Sequence, residues 1–336
     1  MAEDRFVIDL HHHFLPKSVL AELQQMAGGK ARLVNDRISI TLNPDIADLD
    51  AHLRAMDHAG VDVAVLTQSG VSVLGPATCR SLNDGLAEVA ERYPDRIVPC
   101  AHVDLEDEGA VEELDRCVES LGYRIVALPC STPTLNLDDP SLDPLWARLE
   151  ALALPVILHP AQLPRGASLD YGLERSCARP FDTTVAAVRL MGGVLGRYRG
   201  LRFVLPHCGG TAVVLRGRLA MFFTPPGDEP RSLPRTLDEQ RRDGTEVVFD
   251  ELWSMLYFDT AGTGAWAPAV EFTTSVVGAD HMVFGTDFPL EAHSPETMRE
   301  LVEMLNHLDL PEESRDSIAH RSAQSLLRAA LAHAHP

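Results

Sequence analysis

Short runs of apolar residues recur from one end of this chain to the other, separated by longer stretches with apolar residues at helical spacing. The runs cover 7–13, 61–66, 96–101, 123–128, 155–159, 201–206, 255–259 and 281–285. They are apolar throughout rather than alternating, the pattern of strands covered on both faces. The intervening stretches include 76–92, 109–121, 141–153, 181–195, 211–221 and 265–277, and two more, 295–307 and 312–333, close the chain. In 109–121, for example, Ala110, Val111, Leu114, Val118 and Leu121 fall on one helical face. Eight covered strands alternating with helices predict an α/β fold, a (β/α)8 TIM barrel, with residues 1–336 forming one domain. Two stretches break the alternation. Residues 28–44 contain Arg37-Ile38-Ser39-Ile40-Thr41-Leu42 and read as a small hairpin insertion after the first strand. Residues 223–250 are polar, carry Pro225, Pro226, Pro230 and Pro234, and read as a long loop.

The ends of the runs carry the chemistry. The first run ends in Ile8-Asp9-Leu10-His11-His12-His13-Phe14. Alternate residues of a strand share a face, so His11 and His13 project together and His12 projects away, in a structural role. His159, His207 and Asp287 each end a later run. Active sites of such barrels lie at the C-terminal strand ends, and closure of the ring sets the eighth strand beside the first. Five side chains should therefore converge over one mouth as metal ligands or acid–base groups. Burying two imidazoles without a partner is costly. Imidazole and carboxylate donors suit one divalent ion, zinc first, with manganese or iron as alternatives.

Composition narrows the partners. A net charge of -20 excludes nucleic acid and anionic membrane surfaces as partners, since both require a basic face. The six cysteines form no Cys-x-x-Cys pair. The N-terminus lacks a basic segment followed by an apolar one, and no apolar run approaches the roughly 18 residues of a membrane span. The chain reads as a cytoplasmic protein.

Beyond the strand ends, Ile8-Asp9-Leu10-His11-His12-His13-Phe14-Leu15-Pro16, Met56-Asp57-His58-Ala59-Gly60-Val61, Leu158-His159-Pro160, Pro206-His207-Cys208-Gly209-Gly210 and Phe284-Gly285-Thr286-Asp287-Phe288-Pro289 together resemble the amidohydrolase superfamily. Within it they resemble the branch typified by aminocarboxymuconate-semialdehyde decarboxylase. The resemblance runs from the first strand to the eighth. It implies a metal-dependent hydrolase type of barrel with His11, His13, His159 and Asp287 as metal ligands. It implies His207 as the acid, base or oxyanion partner beside the metal. Many superfamily members bridge two metals with a carbamylated lysine on strand four; the run 123–128 has none, and Lys17 and Lys30 are the only lysines. A single-metal site follows. Arg218 matches an arginine that meets a substrate carboxylate across a dimer interface, which implies a homodimer. The second carboxylate-binding arginine of that branch has only Arg37 as a nearby candidate, and its Gly-Asn-Ala pattern is replaced by Arg321-Ser322-Ala323. Both departures argue against the same muconate substrate.

The leading expectation is therefore a metal-dependent lyase that decarboxylates an aromatic or unsaturated small-molecule carboxylic acid, with Asp287 or His207 supplying a proton. The alternative uses the same residues to hydrolyse a lactone, amide or C–C bond, and a barrel that only binds is a third class. Phe14, Leu15, Phe181, Trp253 and Phe288 are candidates to line the substrate pocket, and Arg165 and Arg179 to meet an anionic substrate.

Overall fold

The structure, a computed structural model, describes residues 5–35, 37–160 and 170–332. Ten strands occur among them: β1 (Ile8–His13), β2 (Arg32–Val34), β3 (Ser39–Thr41), β4 (Val63–Thr67), β5 (Ile97–Pro99), β6 (Val126–Pro129), β7 (Val156–His159), β8 (Phe203–Leu205), β9 (Leu256–Asp259) and β10 (Met282–Val283). All but β2 and β3 form parallel ladders, in the orders β1-β4-β5 and β10-β9-β8-β7-β6. Two seams join these arcs. Ala101 N donates to Ile125 O and Ala127 N to Ala101 O, both at 2.9 Å. On the other side Leu10 N donates to Phe284 O at 2.8 Å, and His13 N to Phe288 O at 2.7 Å. The ring is closed, and the eight-stranded barrel expected from the apolar runs is the fold.

The strands read as unbroken apolar runs because each faces two cores. Inside the barrel, Ile8, Leu10, Val65, Cys100, Ile125, Ala127, Ile157, Val204 and Val283 form one buried cluster, joined by Ala323 and Leu326 of helix Ser322–Ala332. A larger cluster, with Leu66, Val126, Leu158 and Phe203 among its members, lies between strands and outer helices. Burial of this kind contributes roughly 25 cal/mol per Å2 of apolar surface.

The insertion after β1 is present as the antiparallel β2–β3 hairpin, Arg32 pairing with Thr41 and Val34 with Ser39. It is flanked by helices that the alternation did not predict, Lys17–Met26 and Leu49–Ala59. The second is capped by the Asp48 side chain, which accepts from Ala51 N, and ends at Gly60 in the left-handed region. The stretch 223–250 is not simply a loop, since it holds helices Leu237–Asp243 and Thr245–Trp253. A reciprocal Thr236–Glu239 capping box starts the first, and Gly244 at φ 77° separates the two. The helix expected over 211–221 begins only at Arg216. Residues His207, Cys208, Gly209 and Gly210 all have positive φ, which holds the chain in tight turns before it can wind.

Candidate metal centre

β1 does not alternate strictly. Its pairing with β4 shifts between Asp9 and His12, so His12 pairs with Leu66 and His13 with Thr67. The extra residue turns Asp9 and His12 to the same side. Asp9 Oδ2 accepts from His12 Nδ1 at 2.9 Å and from Thr286 Oγ1 at 2.6 Å, while Oδ1 accepts from His11 N and Thr286 N. His12 in turn bonds His52 Nδ1 at 2.8 Å, and its ring lies against Phe288. His12 is thus held away from the mouth, as its position in the strand requires.

His11 and His13 point the other way, with their Nε2 atoms 3.1 Å apart. Each imidazole of the expected ligand set has its other nitrogen committed. His11 Nδ1 donates to Asp259 Oδ2 at 2.7 Å, His13 Nδ1 to Thr67 O at 3.1 Å, and His159 Nδ1 to Pro160 O at 2.9 Å. These bonds fix the tautomers that leave three Nε2 lone pairs free, the usual outer support of ligating histidines. Asp287 Oδ1 lies 2.8 Å from His13 Nε2 and 3.8 Å from His11 Nε2. Asp287 Oδ2 lies 3.4 Å from His207 Nε2. Donor atoms of His11, His159, His207 and Asp287 all fall within 4.8 Å of one another.

The electrostatics match a cation. Burial pushes the imidazoles of His13 and His159 down toward their neutral, ligating forms. Burial also acts against charge on His11, but Asp259 outweighs it and holds that imidazole up at about 9, so a proton must leave His11 before its Nε2 can bind an ion. Burial alone would raise the Asp287 carboxyl, yet His13 and His207 keep it well below the usual range. Asp287 Oδ1 and His207 Nε2 are buried without a hydrogen-bond partner among the described residues. Facing lone pairs, an ionised buried carboxylate and orphaned polar atoms are what a divalent ion would satisfy. His11, His13, His159 and Asp287 would hold it, with His207 alongside.

Backbone shape adds to the case. His207 and Asp287 have φ of 56° and 53°, a region side-chain-bearing residues seldom occupy, at a cost on the order of 1 kcal/mol each. The neighbouring glycines leave room for the rings. A Cβ on Gly285 would come within 2.7 Å of His11 Cβ, and one on Gly262 within 2.8 Å of the His207 ring.

A family model described as amidohydrolase matches residues 8–329. The chain belongs to the amidohydrolase family. Among curated relatives of this amidohydrolase, the gamma-resorcylate decarboxylase of Polaromonas sp. (strain JS666) is 26% identical, over 96% of this chain and 98% of its own. The 2-amino-3-carboxymuconate-6-semialdehyde decarboxylase of Dictyostelium discoideum is 24% identical, over 84% of this chain and 81% of its own. A solved dihydroxybenzoic acid decarboxylase from Polaromonas sp. JS666, with bound manganese and the inhibitor 2-nitroresorcinol, superposes with a TM-score of 0.71. It is 23% identical, and the match covers 96% of this chain and 97% of that one.

The amidohydrolase fold distributes the remaining candidates unevenly. Phe181 and Arg218 are exposed and line one groove of about 720 Å3, with Leu215 and Phe222 between them. Phe14 and Phe288 are buried instead against the His52 ring, on the His12 side of β1. Leu15 and Trp253 are buried in the outer core. Arg179 pairs with Glu174 at 2.7 Å, and Arg37 with Glu106 at 2.7 Å. Arg165 lies outside the described residues.

Asp259 is a functional residue that the sequence reading passed over. One oxygen holds His11; the other accepts from His207 N at 2.7 Å and Ala261 N at 3.1 Å. It ends β9 as His159 ends β7, and that shared position was the available signal. Asp259→Asn should weaken divalent-ion affinity by about 10–100-fold, because an amide no longer fixes the His11 tautomer. Competition against a chromophoric chelator measures this, and an unchanged affinity would remove Asp259 from the support of the site.

Proposed function

We propose that this chain is a metal-dependent decarboxylase that removes CO2 from an aromatic carboxylic acid. The observation that carries the reading is the convergence of three Nε2 lone pairs and one carboxylate at a barrel mouth, with His207 beside them. No lysine stands on β6 to bridge a second ion. The decarboxylases among the relatives and the manganese of the solved neighbour support the same assignment.

A bound divalent ion supplies charge stabilisation to the substrate's oxygen atoms. The chain's own groups supply the proton. As the bond to the carboxyl group breaks, its electron pair stays on the ring carbon, and one proton completes that carbon's valence. His207 and Asp287, 3.4 Å apart, are placed to deliver it. Against the opposing effect of its burial, Asp287 is held well below the usual carboxylate range by His13 and His207.

Zinc is the ion proposed, since imidazole nitrogens outnumber carboxylates in the donor set. Manganese is the competitor, and elemental analysis separates the two. Arg218 is proposed to meet a substrate carboxylate from a second subunit of a homodimer. Its exposure beside Phe222, with Phe181, Val214 and Met221 also exposed, supports a covered face there. The cytoplasm is the proposed location, supported by six free thiols, which a reducing compartment preserves.

Product analysis tests the central claim. Turnover of a hydroxybenzoate should release one CO2 per ring and place one solvent hydrogen on the ring, with no oxygen from labelled water. Entry of labelled oxygen into the product would replace the lyase with a hydrolase.

A further inference from the structure

The stretch 223–250 sets a buried guanidinium against the end of helix Arg216–Phe222. Backbone contacts fix its place. Arg235 N donates to Met221 O at 2.9 Å, and the Gln240 side chain donates to Ala220 O at 3.0 Å and to Arg235 O at 3.4 Å. Arg235 is 5% exposed, and among the described residues it is the one arginine that is buried. A guanidinium stays protonated in proteins, so burial obliges it to find partners.

Only one side of this guanidinium has them. Nη1 donates to Thr245 Oγ1, and that hydroxyl donates in turn to Asp243 Oδ1 at 2.6 Å. The other Asp243 oxygen, Oδ2, lies 3.6 Å from Nη1, beyond a good hydrogen bond. Nε and Nη2 are buried and have no hydrogen-bond partner among the described residues. These two N–H groups point the same way in a guanidinium and make a two-pronged edge that matches both oxygens of a carboxylate.

Arg235 also stands in the wall of a cavity of about 620 Å3. The charged side chains around it are Arg231, Arg235, Arg242, Glu239 and Asp243. Three guanidiniums against two carboxylates leave one positive charge over. Neither carboxylate is idle. Glu239 accepts from Thr236 N at 2.8 Å in its capping box, and Asp243 accepts from Thr245 N at 3.0 Å. The surplus calls for a single negative charge, which suits a carboxylate better than a doubly charged phosphate. Leu233 lines the same cavity and is 76% exposed, an apolar surface beside the charges.

We propose that Arg235, with the exposed Arg231 and Arg242, forms an anion site that takes a monocarboxylate with an apolar body. None of its residues belongs to the metal centre, so the site stands or falls apart from the decarboxylase reading. A ligand held there stabilises the folded form of this stretch.

The test titrates benzoate calorimetrically into the metal-loaded protein at neutral pH. The wild type should show one binding step, separate from any binding at the metal centre, that Arg235→Gln weakens by roughly tenfold or more. The step should survive in His11→Ala. Acetate, which lacks the ring, and inorganic phosphate should both bind more weakly than benzoate. If Arg235→Gln does not fold, the exposed changes Arg242→Gln and Leu233→Ser serve in its place, and each should weaken the step severalfold. Identical isotherms for the wild type and these variants would make Arg235 structural and overturn the site. Absence of the step from the wild type would overturn it as well, the result expected if an acidic side chain of a second copy already fills the fork. Phosphate binding tighter than benzoate would overturn the assignment to a carboxylate.

Discussion

His11→Ala leaves the purified protein without stoichiometric metal and lowers kcat/KM by roughly a thousandfold or more. The size follows from the several kcal/mol of charge stabilisation that a bound divalent ion supplies, at 1.36 kcal/mol per tenfold in rate. Three effects act together. One Nε2 donor disappears from a set in which it stands 3.1 Å from His13 Nε2 and 3.8 Å from Asp287 Oδ1. The Asp259 oxygen that His11 satisfied at 2.7 Å is stranded in the interior. His13 loses the ring that stands 4.9 Å from its own. Plasma emission analysis and a CO2-release assay on the same preparation check the result, with far-ultraviolet dichroism confirming that the barrel has formed. A variant that retains its metal takes His11 out of the ligand set.

His207→Ala gives a different signature. Metal content stays near that of the wild type while kcat falls by about 10²–10⁴-fold, the range for a positioned general acid. The measurement discriminates because His207 is near enough to bind the ion itself, its donor atom lying within 4.8 Å of those of His11, His159 and Asp287. Metal lost together with activity would make His207 a ligand and shift the proton to another group.

Much of this site was legible because a covered parallel strand has a simple signature. An apolar run that stops at His159 or at Asp287 marks both the strand and its end. Closure of eight such strands then brings distant residues together without any knowledge of loops. Asp259 was hidden by familiarity rather than physics, since an aspartate at a strand end is also ordinary turn chemistry. The β1 irregularity was hidden for a physical reason. Strict alternation sets Asp9 on the His11 side, and only the pairing with β4 reveals the shift that moves it to His12. Helices Leu237–Asp243 and Thr245–Trp253 were masked by the prolines just before them. Their start depended on a Thr236–Glu239 exchange of hydrogen bonds that polar composition obscures. Phe14 and Phe288 show the limit of reading aromatics at strand ends, since hydrophobicity places them in the interior but does not say against which wall.

The seam between β1 and β10 carries one more implication. Asp287 N donates to His11 O at 2.8 Å, so the peptide that bears one ligand is stitched to the peptide that bears another. Residues more than two hundred positions apart in the sequence must therefore meet before the ion can be gripped. A nascent chain still short of Asp287 has its imidazoles but no lid for them. Tight metal uptake then works as a completion signal, arriving only after the last strand has docked, and a refolding experiment should see it trail the appearance of helix.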